Sequence, residues 1–123
     1  MKIVNLTPHI INVVNQHGET LASFPSEGIA RATQNERIIG GVGEAGVPLY
    51  KVEFGETIGL PEPVEGVKLV VSIITANAAK ASGRDTSDLL LTTGLVRKDE
   101  NGVIGFGFQA KGDIIGCQGF ATV

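Results

Sequence analysis

The fold is decided by two adjoining segments, VKLVVSI at residues 67–73 and TANAAKA at residues 75–81. The first is a mostly apolar run of strand length, which predicts a central strand covered on both faces. The second is rich in strong helix formers, with Ser72 or Thr75 as the N-cap and Gly83 as the stop. We therefore expect a central strand that leads directly into one short helix.

Short runs with high strand propensity lie on both sides of this unit, separated by glycine-rich turns. We predict strands at residues 2–6, 10–14, 20–24, 29–33, 36–42, 47–54, 89–91 and 95–97. Residues 59–66 mix two prolines and two glycines with acidic residues, which predicts a surface loop. The expected fold class is α+β: a mostly antiparallel β-sheet with one or two short helices in a single domain.

Turn signals predict two hairpins. The polar residues 15–18 mark the loop of the first. The dipeptide Asn101-Gly102 lies between apolar runs and is a strong signal for the second, because both residues tolerate the positive φ of a type I′ turn. The glycine-rich segment 102–108 is echoed by residues 112–120, and two neighbouring antiparallel strands would account for the echo.

Length and composition bound the class of protein. The 123 residues are 42% hydrophobic and 19% charged, which is typical of one folded domain and not of a disordered chain. The net charge is −3 and the basic residues are scattered, whereas binding of long nucleic acid needs clustered Lys and Arg. We therefore expect one domain, residues 1–123, that binds a small ligand and no long nucleic acid.

Targeting and redox signals point to the cytoplasm. The N-terminal segment turns polar too early for a signal peptide, and no apolar run approaches the roughly 20 residues that span a bilayer. Cys117 is the single cysteine, so no intrachain disulfide can form and a reducing compartment fits best. We expect a soluble cytoplasmic protein without membrane contact.

Motifs for catalysis or cofactor binding lack their required context. Residues 41–46, GVGEAG, match the dinucleotide fingerprint, but a strand is predicted where a phosphate-binding helix is needed. His9 and His17 have no partner at metal-ligand spacing, and Cys117 lies in an apolar β segment. We therefore expect no cofactor, no metal site and no catalytic residue. A small enzyme that uses His9 or Cys117 is a weaker alternative.

Several side chains have the chemistry to hold a nucleotide. Arg84 directly follows the predicted helix and Arg97 leads into the Asn-Gly hairpin. Asn77 offers an amide near the helix, and Phe54 offers an aromatic face. A guanidinium binds phosphate and an aromatic ring stacks on a base. The alternative for each arginine is an ordinary solvated surface charge.

Segments along nearly the whole chain resemble one family of small phage and prophage proteins. The segments are VNLTPH at 4–9, PSEGIAR at 25–31, FGE at 54–56, GLPEP at 59–63, VS at 71–72, VRKD at 96–99 and IIGC at 114–117. Together and in this order they resemble the Thoeris anti-defence sponge family, of the first type. None of them is a catalytic signature.

The resemblance implies a β-rich protein that assembles into dimers and hexamers and captures cyclic ADP-ribose isomers made by host TIR-domain enzymes. Some members also hold cyclic oligonucleotides. It implies an anti-defence protein that sequesters the messenger in the host cytoplasm without cleaving it. By resemblance, Arg31, Arg84 and Arg97 are phosphate partners. Asn77 is a polar contact and Phe54 a stacking surface. The alternative is a phage structural or assembly protein with no small-molecule ligand.

Overall fold

Short strands and one short helix make up the regular structure of residues 1–107 and 110–123, which the computed structural model describes. In chain order they are β1 (Lys2–Asn5), β2 (Ile11–Val14), β3 (Thr20–Phe24), β4 (Gln34–Val42), β5 (Val47–Phe54), β6 (Val67–Val70), α1 (Ile73–Ala81), β7 (Leu89–Lys98), β8 (Ile104–Phe106) and β9 (Asp113–Thr122). The prediction of a strand-rich single domain with a short helix is confirmed.

The strand and helix predicted at the centre of the chain are β6 and α1. Ser72 is the N-cap, because its hydroxyl accepts a hydrogen bond from Thr75 N at 3.2 Å. The helix therefore begins at Ile73, two residues before the helix-forming segment expected from composition. At the other end Gly83 follows the helix with a φ of 85°, a conformation that favours glycine, as expected for a stop signal.

The main sheet is mixed. Its strand order is β1-β6-β7-β9-β2-β3, with β8 added beside β7, while β4 and β5 form a separate two-stranded sheet. The pairs β1–β6, β6–β7 and β2–β9 are parallel, and the pairs β2–β3, β7–β8 and β7–β9 are antiparallel. The expectation of a mostly antiparallel sheet agrees broadly with this arrangement, but the three parallel pairs in the main sheet were not expected. Parallel neighbours need a crossover connection, and α1 supplies the one between β6 and β7.

The main sheet curls until its two end strands meet. Asn5, at the end of β1, forms a parallel bridge with Ser26, two residues beyond β3. Glu27 N donates a hydrogen bond to Asn5 O at 2.9 Å across the same junction. The outer edges of β1 and β3 are therefore joined at this end of the sheet, where an open sheet would leave unpaired backbone groups.

The curled sheet separates two hydrophobic cores. The first contains Leu6, Ala30, Leu69, Val71, Ala76, Ala79 and Leu89 and lies between the sheet and α1. The second is built around Ile11, Val70 and Cys117. Phe24 and Phe120 pack against the second core with their rings edge to face and their centroids 5.6 Å apart. Leu69 and Val70 belong to different cores, which is the alternation of a strand covered on both faces.

The hairpin of β4 and β5 stands apart from both cores, and we call it, residues 34–54, the arm. Every residue of β4 is exposed, and so is every residue of β5 except Phe54, which is half-buried. The arm joins the domain beside an isolated antiparallel bridge between Arg31 and Ile58. Its two strands confirm the predictions at residues 36–42 and 47–54.

The predicted Asn-Gly hairpin joins β7 to β8, but its turn is not type I′. Gly102 N donates to Asp99 O at 3.0 Å, and Asp99 Oδ1 accepts from Asn101 N at 2.9 Å and from Val103 N at 2.8 Å. Only glycines have positive φ among the described residues, so Asn101 lacks the φ that a type I′ turn requires. The carboxylate of Asp99 decides the turn, because it accepts hydrogen bonds from the amides that follow it.

Residues 29–33 do not form the predicted strand. Within them Arg31 alone bridges to Ile58, while Ala30 is buried in the first core and its N–H donates to Leu6 O at 2.9 Å. The segment is held by core packing and by single backbone contacts on either side. The strand propensity of the segment predicted a ladder that does not form, and only Ala30 of the five residues is buried.

The two echoing segments near the C-terminus are not neighbours, so that prediction is wrong. Val96 of β7 pairs with Phe106 of β8 on one edge and with Gly116 of β9 on the other. The strands predicted at 89–91 and 95–97 are one long strand, β7, and it separates the two segments. The first of the two echoing segments, residues 102–108, includes Phe108, which lies outside the described residues.

Candidate ligand-binding cleft

A cleft of ≈ 730 Å³ opens where the segment before β2 meets the start of α1 and strands β7 and β9. It is lined by Thr7, Pro8, His9, Ile10, Ile11, Asn12, Ser72, Thr92, Leu95, Ile114, Ile115, Gly116 and Cys117. The volume falls within the roughly 300–1,000 Å³ of small-molecule sites, and the mixture of apolar side chains with a few polar groups is typical of them.

Asn5 fixes one wall of the cleft. Its fully buried side chain donates from Nδ2 to His9 O at 2.7 Å and to Phe24 O at 2.8 Å. Its Oδ1 accepts from Thr7 N at 2.9 Å and from the Thr7 hydroxyl at 2.6 Å. These four bonds use the full capacity of an amide side chain. The wall is therefore rigid, with the His9 side chain exposed at its rim.

Ser72 brings the N-terminus of α1 to the cleft. Its hydroxyl lies 2.9 Å from the Thr75 hydroxyl, which is buried and donates to Ala30 O at 3.3 Å. The first helical turn contains no acidic side chain. The positive end of the helix dipole is therefore not neutralised by the helix itself, and this favours an anionic group nearby.

Strands β7 and β9 supply an apolar wall. Leu95 lies directly opposite Cys117 in their ladder. Ile114 stands at the rim with 58% of its surface exposed. Gly116 lies where β9 meets β2, and a Cβ at this position would collide with the carbonyl oxygen of Asn12. The close approach of the two strands therefore requires glycine.

Cys117 and His9, the two residues of the enzyme alternative, both line the cleft. Burial raises the pKa of the Cys117 thiol above its ordinary value. The thiol is therefore neutral at physiological pH, whereas a cysteine nucleophile needs a positive environment that stabilises the thiolate. This environment favours a structural role for Cys117 as part of the apolar wall.

A second, smaller cavity of ≈ 430 Å³ adjoins the cleft. It shares Thr92, Leu95 and Cys117 with the cleft and adds Thr93, Gly94 and Gly107. Strand β7 thus contributes to both spaces. A ligand longer than the main cleft could extend along β7 into this cavity.

Arg97 is the predicted binding residue that lies nearest the cleft in the sheet, although it does not line it. Its partner across the ladder is the cleft residue Ile114. One guanidinium nitrogen, Nη1, donates to Gly112 O at 2.8 Å, and Nε is buried without a hydrogen-bond partner. The guanidinium is thus held at the side of the cleft with donor capacity left over.

Arg31, Phe54 and Asn77 lie elsewhere. Arg31 is exposed and Phe54 half-buried at the base of the arm. Asn77 lies on the exposed side of α1, and that helix lies against β5. The structure therefore places Arg31 and Phe54 near the junction of the arm with the domain, and none of the three residues lines the cleft.

Arg84 is engaged by its own chain. Its two terminal nitrogens donate to Pro61 O and Asp85 O, each at 2.7 Å, and both also bind the carboxylate of Asp88. The hydrogen bonds to Asp88 raise the pKa of the Arg84 guanidinium above its ordinary value. Arg84 thus joins the proline-rich loop 59–66 to the end of α1.

Apart from His9 and Cys117, which were considered as enzyme residues, and Ser72, which was expected as a helix N-cap, the residues that line the cleft were not assigned a role from the sequence. A usable signal was present, because three of the segments that carry the family resemblance, 4–9, 71–72 and 114–117, each contribute to the lining. No motif or resemblance in the sequence indicated that Thr92 and Leu95 line a binding site. The side chains that looked functional were three arginines, one amide and one aromatic ring, whereas the cleft is built mainly from apolar and hydroxyl groups.

Within residues 1–107 and 110–123, no helix is long and apolar enough to cross a bilayer. The same described residues contain no cluster of three or more His, Cys, Asp and Glu side chains able to hold a metal ion. Comparison of the chain with protein-family models, with curated proteins and with solved structures finds no match.

Proposed function

We propose that this chain is a phage-type anti-defence protein that captures a cyclic ADP-ribose-type nucleotide in the cleft, in the host cytoplasm, and does not cleave it. One observation carries the proposal. Segments that are far apart in the sequence, and on which the resemblance to the Thoeris sponge family rests, converge on one cleft of ligand size. Cyclic oligonucleotides are the second ligand class that the resemblance implies.

The chemistry of the cleft suits such a ligand. The apolar wall of Leu95, Ile114 and Ile115 can cover a base or ribose face, and hydroxyl groups can orient it. The N-terminus of α1 at Ser72 offers a positive potential to a phosphate. Arg97 stands beside Ile114 and supplies the full positive charge for a second phosphate contact.

Capture without cleavage is consistent with the groups present. Hydrolysis of a phosphate or glycosidic bond needs a positioned base, nucleophile or metal. The neutral Cys117 thiol is a poor nucleophile, and the wall fixed by Asn5 favours a pre-formed binding site. A pre-formed site loses little entropy on binding and can therefore hold its ligand tightly.

One experiment distinguishes binding of the intact nucleotide from its cleavage. The purified protein is titrated calorimetrically with cyclic ADP-ribose and its glycocyclic isomers, with ADP-ribose as a linear control. The complex is then heat-denatured and the released ligand analysed by chromatography. Recovery of intact cyclic ligand supports capture, whereas a linear product would identify an enzyme. Failure of all cyclic nucleotides to bind would overturn the proposal.

A matched pair of variants tests whether the cleft is the site. Ile114 and Val64 are 58% and 60% exposed, but only Ile114 lines the cleft. Ile114→Asp places a carboxylate beside an anionic ligand and should weaken binding at least tenfold, while Val64→Asp should leave it unchanged. Equal affinities of the two variants would place the ligand elsewhere.

The five residues assigned by resemblance are tested in the same titration. Arg97→Ala should weaken binding without unfolding the protein, since its guanidinium lies beside the cleft. Losses of affinity in Arg31→Ala or Phe54→Ala would instead place the ligand at the base of the arm, and a loss in Asn77→Ala would place it beside α1. Arg84 must be assessed with stability measured in parallel, because it holds the loop 59–66.

The exposed arm favours a second candidate function, a phage structural or assembly protein with no small-molecule ligand. An arm of this kind can join subunits or partner proteins. This candidate predicts partner-dependent assembly and no change of melting temperature with nucleotides. A rise of several degrees with a cyclic nucleotide would contradict it, because a ligand that binds the native state alone stabilises that state.

A further inference from the structure

We infer that His9 is the cationic contact of the cleft and that its protonated imidazole binds a phosphate of the captured nucleotide. The inference rests on the proposed function and names the side chain that supplies charge inside the cleft. The resemblance assigns phosphate contacts to three arginines, none of which is among the described residues that line the cleft. A phosphate that leaves water for the cleft therefore needs a further group to compensate its charge.

His9 is, among the described residues that line the cleft, the one whose side chain can carry a positive charge. That part of the lining contains no Lys, Arg, Asp or Glu, and Cys117 is the other group in it that ionises. Burial raises the pKa of the Cys117 thiol, so it stays neutral at physiological pH. Histidine gains its positive charge between about pH 8 and pH 5. The imidazole can therefore attract an anionic ligand with no lining carboxylate to compete for it.

The main chain of His9 is anchored while the residue itself is exposed. Its carbonyl oxygen accepts hydrogen bonds from Asn5 Nδ2 at 2.7 Å and from the Thr7 hydroxyl at 3.1 Å. Because Asn5 is fully buried, these bonds attach the segment before β2 to the interior of the domain. The exposure of His9 leaves its ring accessible to a ligand. Binding therefore requires little ordering of the segment that carries the ring.

The start of α1 adds positive potential to the same cleft. Ser72, the N-cap of this nine-residue helix, is a lining residue, and the first helical turn contains no acidic side chain. A helix N-terminus carries only a partial positive charge, whereas an imidazolium carries a full one. Hydrogen bonds from a charged donor to a phosphate are shorter and stronger than those from a neutral donor. The imidazolium of His9 therefore supplies what the helix terminus alone lacks.

The charged groups on the elements around the cleft do not oppose this arrangement. Arg97 on β7 adds a further positive charge beside the cleft. Asp113, at the start of β9, lies opposite Lys98 in the ladder, where the two charges attract each other. Glu27, beyond β3, is exposed, so water and salt screen its carboxylate. None of these four is among the described lining residues, and the potential inside the cleft therefore depends on His9 and α1.

The pH dependence of binding tests the inference. The cyclic ADP-ribose isomer that binds best is titrated calorimetrically at pH 5.5 and pH 7.5. Its phosphates keep their charge over this range, so the native protein should bind at least about fivefold more tightly at pH 5.5. His9→Gln keeps a polar side chain without the charge, and its two affinities should differ by less than about twofold. His17→Gln is the matched control, because His17 is exposed and does not line the cleft, and it should keep the native pH dependence.

Proton NMR gives a readout that a merely structural role of His9 would not change. The chain contains two histidines, so the two variants assign both imidazole signals. A ligand that prefers the protonated ring must in turn favour protonation, so the His9 signal should titrate at higher pH in the complex than in the free protein, while the His17 signal should not move. Binding with equal pH dependence in the native protein and His9→Gln would overturn this inference and leave the proposed capture standing. Failure of all cyclic nucleotides to bind at either pH would overturn both.

Discussion

Arg84 and Asp88 form a two-pronged ion pair, with Nη1 2.8 Å from Oδ1 and Nη2 2.9 Å from Oδ2. Their side chains are only 13% and 9% exposed. Because Arg84 also donates to Pro61 O, the pair connects the end of α1, the start of β7 and the loop between β5 and β6. A residue whose charge suits a phosphate thus also connects three elements of the fold.

Removing one partner of this pair should destabilise the domain. Arg84→Ala leaves the Asp88 carboxylate buried without its partner, and the free energy of unfolding should fall by about 3 kcal/mol. Urea denaturation at pH 7 measures it. Arg37→Ala is the control, because the Arg37–Glu53 pair is 63% and 45% exposed and should contribute less than about 1 kcal/mol. Equal losses in the two variants would contradict a structural role for Arg84.

Asn5 should be among the least replaceable polar residues. Asn5→Ala removes four hydrogen bonds and takes away the Nδ2 donor of the Phe24 carbonyl, while the His9 carbonyl can still accept from the Thr7 hydroxyl at 3.1 Å, so a loss of about 3 kcal/mol is expected. Hydrogen exchange at Thr7 N should accelerate in parallel. Asn12→Ala, which loses one exposed hydrogen bond from Ser23, should cost less than about 1 kcal/mol. Similar effects of both substitutions would count against the proposed rigid wall.

Two glycines with positive φ should respond differently to alanine. Gly43 has a φ of 72° with open space around it, whereas a Cβ at Gly112, with a φ of 99°, would collide with the carbonyl of Lys98. Gly43→Ala should therefore cost only the backbone strain, about 1–2 kcal/mol. Gly112→Ala should cost roughly 3 kcal/mol, because strain and collision add. Thermal unfolding of both variants compares them, and a reversed order would be inconsistent with this geometry.

Cys117 should make stability depend on alkaline pH. Its pKa is raised in the folded state, so its contribution to stability is complete below the unfolded thiol value of about 8.5 and is lost as pH rises through the higher folded value. Urea denaturation at pH 7 and pH 10 should show a larger decrease for the native protein than for Cys117→Ala. Identical decreases would show that the thiol does not ionise differently on folding.

Local features of the fold were predictable from the sequence. The run at 67–73 and the alanine-rich segment after it specified β6 and α1, because strand propensity, capping and helix propensity act over a few residues. Ser72 decided the exact start of the helix. The arm was equally evident from its two β-rich runs around Gly43 and Gly46. The turn at Asp99 was misjudged because a side-chain hydrogen bond outweighed the preference of the Asn-Gly dipeptide.

Long-range pairings were not predictable in the same way. The parallel neighbours β2 and β9 pair at Val13 and Cys117. The local sequence of a strand does not indicate which distant strand it will pair with. The cleft is a product of these pairings, so its lining could not be assembled from one segment. Arg84 and Arg97 were singled out for their charge. Only the packing reveals that one of them is engaged by Asp88 and the other lies beside Ile114.

The position of β9 in the sheet order has a consequence for biosynthesis. β2 lies between β3 and β9. The ribosome makes β2 and β3 early, so β2 can pair with β9 only after most of the chain has been synthesised. At roughly 5–20 residues per second, the N-terminal hairpin remains for several seconds without the neighbour that completes its sheet. The domain therefore folds after most of its chain has been synthesised, and this interval is when proteases and chaperones encounter its apolar strands.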